Sequence, residues 1–202
     1  MRLFFSATSP YVRKVMLVLH ETGQIGEVEL VSASGTPLDS SKMPLAQNPL
    51  GKVPVLERPD GPALYDSRVI CQYLSHRAGA ALYPAPPALW STLTLEATGD
   101  GILDAALAMV YEHRLRPPDR QIADLVEGYW AKIERAIDAL ESRWMGHLSG
   151  RLDAGQIAVG AALGYLDLRH DARNWRGRAA ALADWYARFS ARPSMQATLP
   201  QA

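Results

Sequence analysis

Three short stretches in the first third of the chain carry residue types able to hold an anion or an extended peptide. In Thr8-Ser9-Pro10-Tyr11-Val12-Arg13-Lys14 a serine precedes a proline, the pairing that opens a helix with serine at the cap and proline at the first helical position. The same arrangement presents Ser9 Oγ and the free N–H groups of a first turn to a ligand, where they stabilise a negative atom. A neutral hydroxyl there donates a hydrogen bond rather than attacks. In Asn48-Pro49-Leu50-Gly51-Lys52-Val53-Pro54-Val55-Leu56 a proline interrupts a strand-like run, a position normally reserved for an edge or a special bend. A cis Val53-Pro54 bond is one such bend, and an edge proline is the other. The bend would turn the Val53 N–H and C=O outward as a matched pair, to which a peptide adds as a further strand. Finally, Asp66-Ser67 either caps a helix or holds a ligand carrying an ammonium beside a carboxylate.

The elements that must position these residues alternate. Residues 2–6 form a short apolar run. Residues 10–21 place Val12, Val15, Met16 and Leu19 on one helical face, with Gly23 just beyond. Glu27 to Val31 alternates with the period of a half-buried strand. Residues 32–48, rich in Ser, Gly and Pro, predict a long loop. Residues 53–57, a Pro59-Asp60-Gly61 turn and residues 63–65 read as a hairpin. The next helix carries Val69, Ile70, Tyr73 and Leu74 on one face.

Composition turns proline-rich around Tyr83-Pro84-Ala85-Pro86-Pro87, and strand signals end there. The spans 89–113, 122–144, 154–169 and 179–191 are each long enough for a helix. In the second, Ile122, Val126, Tyr129, Trp130, Ile133, Ile137, Leu140 and Trp144 recur at intervals of three and four, as bundle core does. Leu152, Asp153, Gln156 and Ile157 fall at N′, N-cap, N3 and N4, so a capping box and a hydrophobic staple coincide at one helix start.

Charge and cysteine content narrow the function classes. The 202 residues carry 21 basic and 21 acidic side chains, a balance without pull toward nucleic acid or membrane. One cysteine leaves no intrachain disulfide framework and fits a reducing compartment; the expected location is the cytoplasm. The N-terminal apolar run is too short for a signal peptide, and residues 154–166 are broken by glycines and a glutamine, so no membrane span is expected. His20, His76, His113, His147 and His170 share no ligand spacing with one another or with Cys71, and no metal site is expected. Cys71 reads as a small buried hydrophobe. Arg169, Arg173, Arg176 and Arg178, with His170, lack aromatic interleaving and read as a solvated face. Gly99-Asp100-Gly101 lacks the strand and third glycine of a dinucleotide loop.

The order of these segments, with Ser9-Pro10-Tyr11, Lys52-Val53-Pro54 and Asp66-Ser67 ahead of a proline linker and a helical half, resembles a cytosolic glutathione transferase over essentially the whole chain. The resemblance implies an α/β thioredoxin-like domain over residues 1–78, a linker over 79–87 and an all-α helical-bundle domain over 88–202. Ser9-Pro10-Tyr11-Val12 stands where a glutaredoxin has Cys-Pro-Tyr-Cys, so serine replaces the redox nucleophile and disulfide exchange is disfavoured. The similarity is to the serine-type transferases, bacterial, theta and zeta, and Tyr11 is not the catalytic tyrosine of other classes. By this resemblance Ser9 hydrogen-bonds the glutathione sulfur, Val53 and Pro54 pair with the cysteinyl backbone, Asp66 and Ser67 hold the γ-glutamyl end, and Lys52 meets the glycyl carboxylate. The implied activity is conjugation of the glutathione thiolate to a small apolar electrophile in an inter-domain cleft, with Tyr11, Met109 and Tyr111 as candidates for lining that site. The alternatives are a glutathione- or partner-binding module without turnover, and glutathione-dependent reduction or isomerisation. A homodimer is also implied. Two positions depart from the family pattern: Asp66 stands where Glu is common, and Asp153-Ala154-Gly155-Gln156 where Ser/Thr-x-x-Asp is common.

Overall fold

Strand β1 (Arg2–Phe5) runs parallel to β2 (Glu29–Ser32) and antiparallel to β3 (Val55–Arg58), and β4 (Gly61–Leu64) extends the sheet to the order β2-β1-β3-β4. This computed structural model describes residues 1–200. They divide into two units, Met1–Ala85 together with the segment from Pro193, and Pro86–Arg192; the division falls inside the proline-rich stretch.

In the first unit, helix α1 (Pro10–Glu21) connects β1 to β2, and α2 (Ser67–Arg77) follows β4. Leu3, Val55 and Leu56 from the sheet, Val15, Val18 and Leu19 from α1, and Ile70 and Leu74 from α2 are fully enclosed. Cys71 lies in the same core, 1 % exposed. Two expectations are corrected here. Residues Ile25–Glu27 form a 3-10 turn, and β2 starts only at Glu29, where the N–H donates to the Met1 carbonyl; alternation cannot distinguish a coil entering a strand from the strand itself. Val69 is 46 % exposed, because Ile70, Cys71 and Leu74 define the buried stripe of α2 and Val69 lies about 100° off Ile70.

The second unit is helical: α3 (Ala88–Leu115), α4 (Ala123–Ala139), α5 (Met145–Leu148), α6 (Ala154–His170) and α7 (Ala180–Ser190). The span expected as one helix over 122–144 begins one residue later, with Ile122 at the cap position and 50 % exposed, and passes through a π-helical turn at Leu140–Trp144 into α5. Val126, Trp130, Ile133, Ile137 and Leu140 supply its core face, whereas Tyr129 and Trp144 are half-buried at its margin. Helix α6 is buried on every side from Ala154 to Leu166, as a central helix must be. Small residues let α3 approach it: a Cβ at Gly99 would sit 2.7 Å from the Ala158 carbonyl carbon. Asp153 caps α6 by accepting from the Gln156 N–H, but the Gln156 side chain donates to the carbonyls of His147 and Arg151 instead of closing the capping box. The basic residues after α6 are locked on acids: Arg173 on Glu127, Arg176 on Asp167, and Arg178 on Asp138 and Glu134.

The helical domain was expected to run to residue 202, yet α8 (Pro193–Ala197) clusters with the first unit. It packs on α1, where Arg13 Nη2 donates to the Met195 carbonyl and the Ser194 hydroxyl to Glu21. Among the described residues no helix is long and apolar enough to cross a membrane.

Candidate functional site

Strand pairing brings the three chemical segments to one end of the sheet. Phe4 pairs with Val55 and Leu64 with Leu56, so the chain leaving β1, entering β3 and leaving β4 crosses the same edge. Ser9 follows the first of these exits, Val53-Pro54 precedes the second strand, and Asp66-Ser67 follow the third.

Ser9 has extended backbone angles, φ −80° and ψ 121°, and caps α1 with Pro10 at the first helical position. Its Oγ accepts the Val12 N–H at 3.3 Å. A hydroxyl has one proton and two lone pairs, so this capping bond consumes a lone pair and leaves the proton available to a ligand. Structural and chemical roles therefore coexist in one atom. Tyr11, the second residue of α1, is half-buried.

The Val53-Pro54 peptide is cis. Among the described residues neither the N–H nor the C=O of half-buried Val53 has a hydrogen-bond partner. Asn48, 2 % exposed, builds the turn before it: Oδ1 accepts the Leu50 N–H at 3.0 Å and Nδ2 donates to the Lys52 carbonyl at 2.9 Å. Gly51 completes that turn at φ +60°, where a side chain would be strained and would press on Ser40 and Leu45. The positioning role of Asn48 was missed from sequence; the Asn-Pro-x-Gly turn pattern was the signal for it. The exposed Lys52 ammonium has no ion-pair partner among the described residues.

Asp66 caps α2. Its Oδ1 accepts the Arg68 N–H at 3.0 Å and Oδ2 accepts from Arg68 Nη2 at 2.8 Å. Burial pushes this carboxyl up, but the hydrogen bonds and charge of Arg68, with the charge of buried Lys14, outweigh burial and leave it below the ordinary aspartate value. The charged form is thus secured. Ser67 is 3 % exposed, yet its hydroxyl makes no hydrogen bond among the described residues. The hydroxyl oxygen is not itself enclosed, so its hydrogen-bonding capacity is open to a ligand.

Of the two α3 candidates, Met109 retains only 1 % exposure, whereas half-buried Tyr111 has surface to offer a ligand. A groove of about 450 Å³ on the β3–β4 hairpin, lined by residues including Gln47, Glu57, Arg58 and Tyr65, contains none of the three segments. Its charges are spent internally, Glu57 on Gln47 and Arg2, and Arg58 on Asp60.

Comparison with known proteins gives this geometry a family. The glutathione S-transferase N-terminal domain matches residues 3–82 and the C-terminal domain of the same family matches residues 123–188. The Escherichia coli K12 protein YibF, described as an uncharacterized GST-like protein, is 35 % identical over 179 residues, spanning 87 % of this chain and 86 % of its own. The chain belongs to the glutathione S-transferase family. A glutathione transferase family member from Pseudomonas fluorescens Pf-5, solved with bound glutathione, superposes with a TM-score of 0.96 at 43 % identity over 100 % of this chain and 99 % of that one. A glutathione S-transferase from Methylobacillus flagellatus KT, also with glutathione bound, gives 0.86 at 36 % identity over 99 % of each chain. The four-stranded mixed sheet is accordingly the thioredoxin-like half of a glutathione S-transferase, and the helical unit is its C-terminal half.

Proposed function

We propose that this protein is a glutathione transferase that binds the tripeptide at the sheet end of its first unit and joins the sulfur to an electrophile. Ser9 is the catalytic residue in this reading, Val53 and Pro54 pair with the cysteinyl backbone, Asp66 and Ser67 hold the γ-glutamyl group, and Lys52 meets the glycyl carboxylate. The observation that carries the reading is the state of Ser9 Oγ: it takes the Val12 N–H as an acceptor and keeps its own proton for an anion. The vacant hydrogen-bonding capacity of Val53 and Ser67 supports it, as do the two relatives solved with glutathione. The Pseudomonas relative is also solved with S-(propanoic acid)-glutathione, in which the sulfur is already alkylated, and this favours conjugation over disulfide exchange.

The chemical task is thiol activation. A free thiol with pKa about 8.5 is only a few per cent thiolate at neutral pH. Lowering that value by about two units needs roughly 2.7 kcal/mol of differential stabilisation, within reach of one or two hydrogen bonds to an anion at about 1.5–3 kcal/mol each. The Ser9 hydroxyl and the first-turn N–H groups of α1 supply them without a base. A cytosolic homodimer completes the proposal.

The test is Ser9→Ala, with the thiol titration of bound glutathione followed by ultraviolet thiolate absorbance and conjugation measured with an aryl halide. The thiol pKa rises by about 1–2 units and the rate at neutral pH falls by about tenfold or more. An unchanged titration and rate remove Ser9 from the mechanism. Saturable glutathione binding without turnover of aryl halides, epoxides or hydroperoxides makes the protein a binding module instead.

A further inference from the structure

Helix α8 folds back onto the helix that carries the proposed catalytic serine. Ser9, Arg13, Leu17 and Glu21 stand four apart, so they run down one side of α1, with Ser9 at the cap and Glu21 at the other end. Helix α8 is anchored on this side at two points. Arg13 Nη2 donates to the Met195 carbonyl at 3.3 Å, and the Ser194 hydroxyl donates to Glu21 Oε1 at 2.5 Å. Leu17, between the two anchors in sequence, is buried, as are Ser194 and Met195. The Ser194 carbonyl accepts both the N–H and the hydroxyl of Thr198, which pins the far end of α8.

Packing alone does not call for this arrangement. An aliphatic side chain at residue 13 would cover α8 without the cost of taking a guanidinium to 7 % exposure. A directional bond adds what an apolar contact lacks, because it fixes the rotation and the height of α1 within its unit. Both quantities matter at Ser9. Its cap bond to the Val12 N–H is 3.3 Å long, just past the upper end of about 3.2 Å usual for N–H···O, so the cap by itself holds the first turn loosely. The Arg13 N–H donates to the Ser9 carbonyl at 3.0 Å. Residue 13 is thus tied to Ser9 through its backbone and to α8 through its side chain. A hydrogen bond weakens steeply with misalignment, and donors aimed in advance need no reorganisation when the charge arrives.

We propose that Arg13 is a positioning residue for glutathione activation: held by α8, it sets the place of the Ser9 hydroxyl and the first-turn N–H groups of α1 so that they meet the sulfur anion. This rests on the reading of Ser9 as donor to the thiolate and extends it, since a segment 182 residues from Arg13 becomes part of the glutathione site.

The experiment titrates the thiol of bound glutathione by ultraviolet thiolate absorbance in the wild type, Arg13→Met, Arg13→Lys and Ser194→Ala, and in Ser9→Ala with and without Arg13→Met. In Arg13→Met the thiol pKa rises by about 0.5–1, and below the wild-type value kcat with an aryl halide falls about three- to tenfold while KM for glutathione changes less than about twofold. Rates converge at high pH, where the thiol ionises without help. Arg13→Lys, which keeps a donor, recovers about half or more of the change, and Ser194→Ala, which removes the other anchor, gives a smaller rise of the same sign. In the Ser9→Ala background Arg13→Met has less than about half its effect, because the hydroxyl it positions is gone. An Arg13→Met titration identical to that of the wild type overturns the assignment. So does a lower melting temperature with an unmoved thiol, which leaves the α1–α8 contact to the fold alone, and so do equal effects of Arg13→Met with and without Ser9. Where Arg13→Met does not fold, Ser194→Ala decides, and an unmoved thiol there refutes the assignment. If Ser9→Ala itself leaves the thiol unchanged, the reading of Ser9 fails and takes this assignment with it.

Discussion

Replacing Asp153 by alanine removes more than a helix cap. The carboxylate is 6 % exposed; Oδ1 accepts the Gln156 N–H at 2.9 Å, and Oδ2 accepts from Thr92 Oγ1 at 2.7 Å and from His147 Nε2 at 2.6 Å. Loss of the cap costs about 1 kcal/mol. The two further hydrogen bonds to a charged group contribute about 1.5 kcal/mol each at the low end of their range, and their loss leaves the fully enclosed Thr92 hydroxyl without its carboxylate. The total is about 3–4 kcal/mol, a large share of the ~5–15 kcal/mol that holds a typical domain folded. Urea unfolding reads the change through tryptophan fluorescence, because Trp144 stands edge-on to His147 and Trp185 Nε1 donates to the Leu148 carbonyl. At about 2–3 kcal/mol per molar urea the midpoint falls by roughly 1–2 M. Asp153→Asn keeps a capping oxygen and loses about half as much. A loss under about 1 kcal/mol for the alanine variant, or an asparagine variant as weak as alanine, refutes the account of the network.

Two further outcomes are expected. Gly99→Ala forces a methyl against the Ala158 backbone and destabilises by about 1–3 kcal/mol, whereas Gly101→Ala, with nothing within 4 Å, stabilises by about 0.5–1 kcal/mol; paired thermal melts separate the two. For His170, burial lowers the pKa below the ordinary 6.5, the charges of Arg173, His113 and Arg169 push the same way, and the Ala106 carbonyl opposes them. The unfolded chain therefore takes up the proton first on acidification. The neutral ring's contribution is complete above the unfolded value and is lost as pH falls through the folded one. Melting temperatures measured on either side of pH 6.5 fall more in the wild type than in His170→Gln, and equal falls contradict the assignment.

Local chemistry made some elements readable in advance. Helix α1 starts and stops where Ser9, Pro10 and Gly23 require, and the α6 cap follows from Asp153 alone. What escaped depended on contacts distant in sequence. The start of β2 is set by pairing with β1, and the exposure of Val69 by which stripe of α2 meets the sheet. The partners of Asp153 include Thr92, sixty-one residues away. In the candidate site the residue types were legible, but the vacancy at Val53 and Ser67 was not, because an unsatisfied group is defined by neighbours that only the folded chain assembles.

The docking of α8 on α1 orders events during synthesis. Arg13, 7 % exposed, donates to the Met195 carbonyl, so the first unit gains this wall only after Met195 has been translated. The intervening unit occupies the ribosome for about ten seconds at ~5–20 residues per second. Throughout that interval the flank of α1 that α8 covers stays open to solvent.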